Sequence, residues 1–204
     1  MHKILIVDDH PTIRFAARLL LEREGYDVIG EAHDGVSAVS LSQELTPDVV
    51  VLDLGLPRLD GLSVLERLRA LDPAPRIMVF TGRPPRLFAK RCIEAGASAF
   101  VRKDEDLSIL LGALKAVLSG YSYLPDALSL GPRSQTEDDR LDRLSNREFE
   151  VMRQLAKGAT NNEIAQAMIL SSKTISTYKT RIMDKLQVRS LAELLDLANR
   201  RGMI

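Results

Sequence analysis

The sequence predicts an α/β domain with a doubly wound, five-stranded parallel sheet, followed by a smaller all-α domain of four helices. Strand-like apolar runs alternate with helical patterns five times over residues 1–119. From residue 141 to 204 the apolar spacing is helical throughout. The stretch 120–140 between them loses this periodicity, and its second half is dominated by Pro, Gly, Ser and charged residues. We therefore predict a linker there.

The five strand–helix units define the topology of the first domain. Because each apolar strand is followed by a helix, the strands should be parallel and the crossovers right-handed. This pattern predicts the flavodoxin-like strand order 2-1-3-4-5. The predicted strands are 3–8, 26–32, 48–53, 76–81 and 98–102, and the predicted helices are 11–24, 35–45, 61–71, 86–95 and 106–119.

Polar residues stand where the central strands end. Asp8 and Asp9 close the first strand, Asp53 closes the third, Thr81 closes the fourth, and Lys103 follows the fifth. In the predicted strand order these ends meet at one edge of the sheet. Three clustered carboxylates resist burial unless a cation compensates them, and Mg²⁺ takes oxygen ligands. Taken singly, each residue could be a loop cap, a helix cap or a surface charge.

Such an edge has the groups needed for phosphoryl chemistry. Asp53 could act as a nucleophile toward a phosphoryl group and form an acyl phosphate. Mg²⁺ and Lys103 would neutralise the phosphoryl oxygens, and the Thr81 hydroxyl could donate a hydrogen bond to one of them.

The C-terminal domain begins with a capping box. Ser145 and Glu148 stand at the N-cap and N3 positions of a helix that runs to about residue 157. Further helices are predicted over 161–168, 172–186 and 190–201. A short helix, a turn and a longer helix make a helix-turn-helix, whose second helix reads DNA.

The outward face of helix 172–186 suits a major groove. Short polar side chains allow close approach to base edges, and flanking cations contact phosphates. Residues 141–204 carry 11 Lys/Arg against 7 Asp/Glu, whereas 1–140 carry 17 against 21. The alternative is an ordinary solvated helix face. The candidate DNA-binding residues are Lys173, Ser176, Thr177 and Thr180, flanked by Lys179, Arg181 and Lys185.

The first domain resembles the receiver domain of bacterial two-component response regulators. The stretches "ILIVDDH", "VVVLDLGLP", "VFTG" and "GASAFVRK" carry the resemblance across residues 1–119. It implies that Asp53 accepts a phosphoryl group from a sensor histidine kinase or a phosphotransfer protein. It also implies that Asp8, Asp9, Asp53 and the carbonyl of Gly55 hold Mg²⁺, and that Thr81, Phe100 and Lys103 form the switch.

The second domain resembles the LuxR-type DNA-binding domain. "LSNREFEVM", "GATNNEIA", "SSKTISTY" and "DKLQV" match its signatures. The resemblance implies that 172–186 is the recognition helix and that Leu191, Leu194 and Leu195 contribute to a dimer. Asn162 and Ser176 depart from the family, many members of which have Lys there. Both domains together resemble a NarL/FixJ-type regulator, of the BvgA and EvgA kind of virulence activator.

The expected function is a phosphorylation-activated, DNA-binding regulator of transcription. Its expected partners are the kinase, double-stranded promoter DNA, RNA polymerase and, when phosphorylated, a second copy. Enzymatic activity should be limited to self-phosphorylation from small donors and slow self-dephosphorylation. One alternative is a phosphorylation-independent regulator with a degenerate receiver. An aspartate-nucleophile phosphohydrolase needs a second Asp where Gly55 stands, and an autoinducer-binding protein needs an apolar cavity that this pattern does not suggest.

Composition limits the location. The longest apolar runs are too short to span a bilayer, and charges within the first ten residues do not suit a signal peptide. One Cys, Cys92, excludes a disulfide framework or a Cys-based metal site within this chain. We expect a cytoplasmic protein that does not associate with membranes.

Overall fold

The computed structural model describes residues 1–124, 137–201 and 203. The chain divides into two compact units, Met1–Leu130 and Gly131–Ile204. Most of the predicted linker 120–140 lies outside the described residues, so the boundaries 1–119, 120–140 and 141–204 stay predictions. No helix in the described part of the chain is long and apolar enough to cross a membrane.

The first unit is a parallel sheet of order β2-β1-β3-β4-β5, which confirms the predicted topology. Five helices alternate with the strands, as the apolar periodicity predicts. The strands are β1 Lys3–Val7, β2 Asp27–Ala32, β3 Val49–Leu52, β4 Arg76–Thr81 and β5 Ala99–Arg102, and the helices are α1 Pro11–Arg23, α2 Gly35–Leu45, α3 Gly61–Arg69, α4 Pro85–Glu94 and α5 Leu107–Leu118.

Two apolar layers hold this sheet. Strand residues such as Ile4, Val51 and Val101 pack against α1 and α5 in one buried cluster. The alternate residues of the same strands, such as Val50 and Phe100, are also buried and point to the opposite face, because side chains alternate along a strand. Burial on both faces explains why the central strands read as continuous apolar runs.

The start of α3 lies directly against the loop that follows β3. Asp60 caps α3, its side chain accepting a hydrogen bond from the Ser63 amide at 3.1 Å. A Cβ on Gly61 would stand 2.4 Å from the Cα of Leu54 and 2.7 Å from the carbonyl oxygen of Asp53. Only glycine permits such a close approach. Gly61 therefore allows α3 to pack directly against the carboxyl end of β3.

The second unit contains the four predicted helices and a shorter one. The short helix begins inside the range predicted as linker. The capping box at Ser145 and Glu148 is confirmed, and Thr160 and Glu163 form a second one. Apolar residues including Phe149, Ile175 and Ile182 form its core. The helices are α6 Glu137–Asp142, α7 Asn146–Ala156, α8 Asn161–Met168, α9 Ser172–Leu186 and α10 Leu191–Arg200.

Gly61→Ala should destabilise the first unit. The added methyl group meets backbone atoms that cannot move away as a side chain could, so we expect a loss of about 1–3 kcal/mol in the free energy of unfolding. Urea unfolding measures it. Gly112→Ala is the matched control, because Gly112 lies in α5 with open space around its Cα. That change should stabilise by about 0.4–1 kcal/mol. Equal effects of the two substitutions would contradict the packing argument.

Candidate functional site

A buried charge cluster lies at the carboxyl edge of the sheet. The Lys103 Nζ lies 2.6 Å from the Asp8 Oδ2 and 2.8 Å from the Asp53 Oδ2. Asp8 is 2% exposed and Asp53 is 4% exposed. The strand register brings them together, since the Asp53 amide donates to the Val7 carbonyl at 2.8 Å and the Lys103 amide donates to the Thr81 carbonyl at 3.0 Å. Lys103 therefore compensates two carboxylates from two neighbouring strands.

The second oxygen of Asp53 is held by the backbone of the next residue. The Leu54 amide donates to the Asp53 Oδ1 at 2.7 Å. Beside it, a Cβ on Gly55 would stand 3.0 Å from the Asp53 Oδ2, so a side chain there would press on the carboxylate. The loop after β3 thus orients Asp53, which is one of the residues that line a cavity.

His10 joins the acidic residues, which the sequence analysis did not anticipate. Its Nδ1 lies 2.7 Å from the Asp9 Oδ1 and 3.2 Å from the Asp8 Oδ1. The first of these contacts lacks hydrogen-bond geometry, so the buried Asp9 Oδ1 has no hydrogen-bond partner. One ligand atom each from Asp8, Asp9, His10 and Asp53 lies within 4.8 Å of the others. The sequence feature that could have predicted this contact is the position of His10, directly after the two aspartates.

Asp9, His10 and Asp53 line a cavity of about 560 Å³. Thr81 and Lys103 line it, as predicted, and Arg83 is a further cation on its wall that the sequence analysis missed. Three carboxylates with oxygen donors and one unpartnered buried oxygen suit a hard divalent cation. The other lining residues are Ile13, Gly55 and Gly82.

Phe100 is placed apart from this cavity. It is 1% exposed and is not among the residues that line the cavity. Its amide donates to the Tyr123 carbonyl at 2.9 Å, and the Tyr123 amide donates to the Ser98 carbonyl at 3.0 Å. The chain that leaves α5 therefore pairs with β5 beside Phe100. Thr81 is fully buried, and its Oγ1 accepts a hydrogen bond from the Arg83 amide at 3.3 Å.

In the second unit, the outer face of α9 carries hydroxyls with a shared orientation. The hydroxyls of Ser176, Thr177 and Thr180 donate to the carbonyls four residues earlier, at 3.1, 3.1 and 3.2 Å. Their oxygens can also accept hydrogen bonds, and the Ser176 Oγ already accepts one from the Asn161 Nδ2 at 3.2 Å. The threonines also carry methyl groups. Such a face can meet base amino groups and thymine methyls in a major groove. Lys173 and Arg181 are exposed on this helix, and Lys179 is half-buried.

Comparison with known proteins decides the family. The family model for the response regulator receiver domain matches residues 4–115, and that for bacterial regulatory proteins of the luxR family matches residues 142–198. The chain belongs to the response regulators. It is a DNA-binding regulator of transcription with a receiver domain, and this family is not one of classical enzymes.

Full-length relatives agree with this placement. The response regulator is 47% identical to the virulence-factor transcription regulator BvgA of Bordetella pertussis, over 99% of each chain. It is 39% identical to the DNA-binding transcriptional activator EvgA of Escherichia coli, over 96% of this chain and 97% of that one. The predicted resemblance to the BvgA and EvgA kind of regulator is therefore confirmed.

Solved structures of similar proteins support the same fold. RcsB from Salmonella enterica, bound to the rprA promoter in the presence of the phosphomimetic BeF3⁻, superposes with a TM-score of 0.74 at 28% identity. The match covers 98% of this chain and 99% of RcsB. RcsB and the response regulator thus share the same pair of domain folds.

Two residues with predicted roles in DNA binding and dimerisation make contacts within their own unit. The Lys185 Nζ lies 2.6 Å from the Glu148 Oε2 and donates to the Arg143 carbonyl at 3.2 Å, so its charge is paired within the unit. Leu194 is fully buried in the core of its unit and offers no surface to a second copy. Leu191 and Leu195 are half-buried.

The Lys185–Glu148 ion pair lowers the pKa of Glu148. Burial on its own would raise this pKa, but hydrogen bonds from the Lys185 ammonium and the Ser145 amide outweigh burial. A carboxyl whose pKa is lower in the folded state stabilises the protein above its unfolded pKa, near 4.5 here. That stabilisation is lost as the pH falls below this value.

Lys185→Ala and Arg181→Ala should separate stability from DNA binding. Removing Lys185 leaves the buried Glu148 carboxylate without its cation, so we expect a loss of about 2 kcal/mol in the free energy of unfolding near pH 7 that shrinks below about pH 4.5. Arg181 is exposed on the same helix, and its removal should change stability by no more than about 0.5 kcal/mol while weakening DNA binding. Thermal unfolding across a range of pH measures the stability of each variant, and DNA titration measures its affinity for DNA. Unchanged stability of Lys185→Ala would contradict a stabilising role for the Lys185–Glu148 ion pair.

Proposed function

We propose that Asp53 accepts a phosphoryl group from a sensor kinase, and that this modification controls promoter binding by the LuxR-type domain. The contact of Lys103 with both Asp8 and Asp53 carries the proposal. It places a nucleophilic carboxylate and an ammonium group 2.8 Å apart at the wall of an open cavity. An incoming phosphoryl group brings negative oxygens that this ammonium would neutralise.

The covalent step balances without a further reactant. An Asp53 carboxylate oxygen attacks the phosphorus of a phosphohistidine donor and forms a new P–O bond. The donor P–N bond breaks, and its electron pair stays on the imidazole nitrogen of the donor. The Leu54 amide, which donates to the Asp53 Oδ1, orients the carboxylate for this attack. A small donor such as acetyl phosphate would react in the same way, with acetate as the leaving group.

The acidic residues fit Mg²⁺. Asp8, Asp9, Asp53 and the Gly55 carbonyl would hold it, and His10 stands beside them. When bound, the ion supplies positive charge to the transferring phosphoryl group. Asp8 is also the residue that Lys103 contacts at 2.6 Å, so Lys103 is placed to turn from Asp8 toward a phosphoryl oxygen.

Thr81, Phe100 and Lys103 would transmit the modification. The Thr81 Oγ1 accepts a hydrogen bond from the Arg83 amide, and its own proton is available for a phosphoryl oxygen. A shift of Thr81 would propagate along β4 to β5, where Phe100 lies. Because Tyr123 is hydrogen-bonded on both sides of Ala99, a change in β5 would reach the chain segment that leads toward the DNA-binding unit.

The second unit would deliver the output. The exposed cations and hydroxyls of α9 would contact phosphates and base edges of double-stranded promoter DNA. A homodimer formed on phosphorylation, through α10 residues including Leu191 and Leu195, would bind paired half-sites. BvgA and EvgA are named as transcription regulators and RcsB has been solved on promoters, which supports promoter DNA here. RNA polymerase would be the next partner, in the cytoplasm.

Intact-mass measurement with acetyl phosphate and Mg²⁺ tests the acceptor. Wild type should gain a single phosphoryl group, and EDTA should abolish the gain. Asp53→Asn should gain none, because an amide is not a competent nucleophile. The matched control is Asp27→Asn, at the far end of β2, which should behave like wild type. A phosphoryl adduct on Asp53→Asn equal to that of wild type would reject Asp53 as the acceptor.

A further inference from the structure

The loop after β3 contains a strained residue. Arg58 has a φ of +67°, in the left-handed region that residues with a Cβ rarely adopt. The Leu59 amide donates to the Pro57 carbonyl at 2.8 Å, so Arg58 is the central residue of a three-residue turn. A γ-turn with positive φ at its centre is rare and strained. Strain of this kind persists only where surrounding contacts impose it.

The Arg58 side chain supplies one of those contacts. Its Nη1 donates to the Asp34 Oδ2 at 2.9 Å. Asp34 is 1% exposed, and its other oxygen caps α2 by accepting hydrogen bonds from the Val36 and Ser37 amides. His33 also approaches, its Nε2 standing 3.4 Å from the Asp34 Oδ2. The ion pair therefore joins the loop to a fixed point at the start of a helix.

The backbone around the ion pair is equally close. The Gly35 amide donates to the Pro57 carbonyl at 3.3 Å. A Cβ on Gly35 would stand 2.1 Å from the Leu59 carbonyl oxygen, so the start of α2 lies directly on the turn. Glycine at position 58 would adopt the same φ without penalty. With arginine there, the contact with Asp34 is one that can hold the strained turn in place.

We propose that the Arg58–Asp34 ion pair positions the loop 54–60 for metal and phosphoryl binding at Asp53. This inference rests on the proposed function of Asp53. The loop begins with the Leu54 amide that holds the Asp53 carboxylate and continues through the Gly55 carbonyl. At its end, the Gly61 amide donates to the Leu54 carbonyl at 3.4 Å. Arg58 is thus a positioning residue that acts through Leu54 and Gly55.

The ion pair should affect metal dependence more than maximal rate. In Arg58→Gly the strain disappears together with the ion pair, so thermal stability should stay close to wild type. Outer contacts that orient a metal site change its affinity by about 10-fold or more. We therefore expect about a 10-fold rise in the half-saturating Mg²⁺ concentration for phosphorylation by acetyl phosphate. The rate at saturating Mg²⁺ should be unchanged.

Asp34→Asn is the complementary variant. Asparagine caps a helix as well as aspartate does, so α2 keeps its cap while the ion pair is lost. The half-saturating Mg²⁺ concentration should rise as in Arg58→Gly. The double variant should show no larger rise than either single one, because both changes remove the same interaction. Arg58→Lys, which keeps a cation, should recover part of the affinity.

The controls separate three outcomes. Arg67→Ala, an exposed arginine on α3, should match wild type. If wild type forms an adduct and Arg58→Gly keeps the wild-type Mg²⁺ dependence, the positioning role is wrong and the proposed function stands. A loss of thermal stability in Arg58→Gly that accounts for its lower phosphorylation would also overturn the role. Absence of an adduct on wild type would overturn both proposals.

Discussion

One partly buried ammonium group holds the acidic edge of this molecule together. Lys103 contacts Asp8 and Asp53 at 2.6 and 2.8 Å, where both carboxylates are almost fully removed from water. Burying two like charges side by side is costly unless a cation compensates them. The parallel sheet makes this arrangement possible, because it brings the ends of β1, β3 and β5 to one edge. A buried nucleophile in a charged, open cavity follows from that geometry.

The surrounding contacts extend from this cluster in two directions. On one side, the loop after β3 is fixed by the Leu54 amide, by the close approach of Gly61 and by the Arg58–Asp34 ion pair. On the other side, β5 leads from Lys103 back to Phe100, whose amide is bonded to Tyr123. The first set orients the acceptor, and the second lies on the chain path toward the DNA-binding unit. The groups that orient the acceptor and those on the chain path to the DNA-binding unit therefore both begin at the strand ends around Lys103.

The features predictable from sequence were those with a short-range signal. Five apolar runs fixed the strands and their order, and the position of Asp53, Thr81 and Lys103 at strand ends located the cavity. The capping box of Ser145 and Glu148 could be predicted because its two residues lie only three positions apart in the sequence.

The features that escaped prediction depend on partners far along the chain. Arg58 meets Asp34 across 24 residues, and Lys185 meets Glu148 across 37. Lys185 therefore read as a surface cation. The resemblance to the LuxR-type domain implied a dimer role for Leu194, and helical spacing alone does not distinguish a core face from a docking face. The positive φ of Arg58 could not be predicted from the sequence, because arginine, unlike glycine, is not typical of such a turn.

The central claim is that phosphorylation at Asp53 controls DNA binding, and DNA affinity tests it most directly. A fragment enriched from a random double-stranded library by the phosphorylated protein would be titrated with phosphorylated and unphosphorylated wild type and with Asp53→Asn, at one salt concentration. We expect phosphorylated wild type to bind about 10-fold more tightly, a typical coupling between two sites. Asp53→Asn should stay at the unphosphorylated affinity in the presence of the donor. Equal affinity of all three would contradict the account.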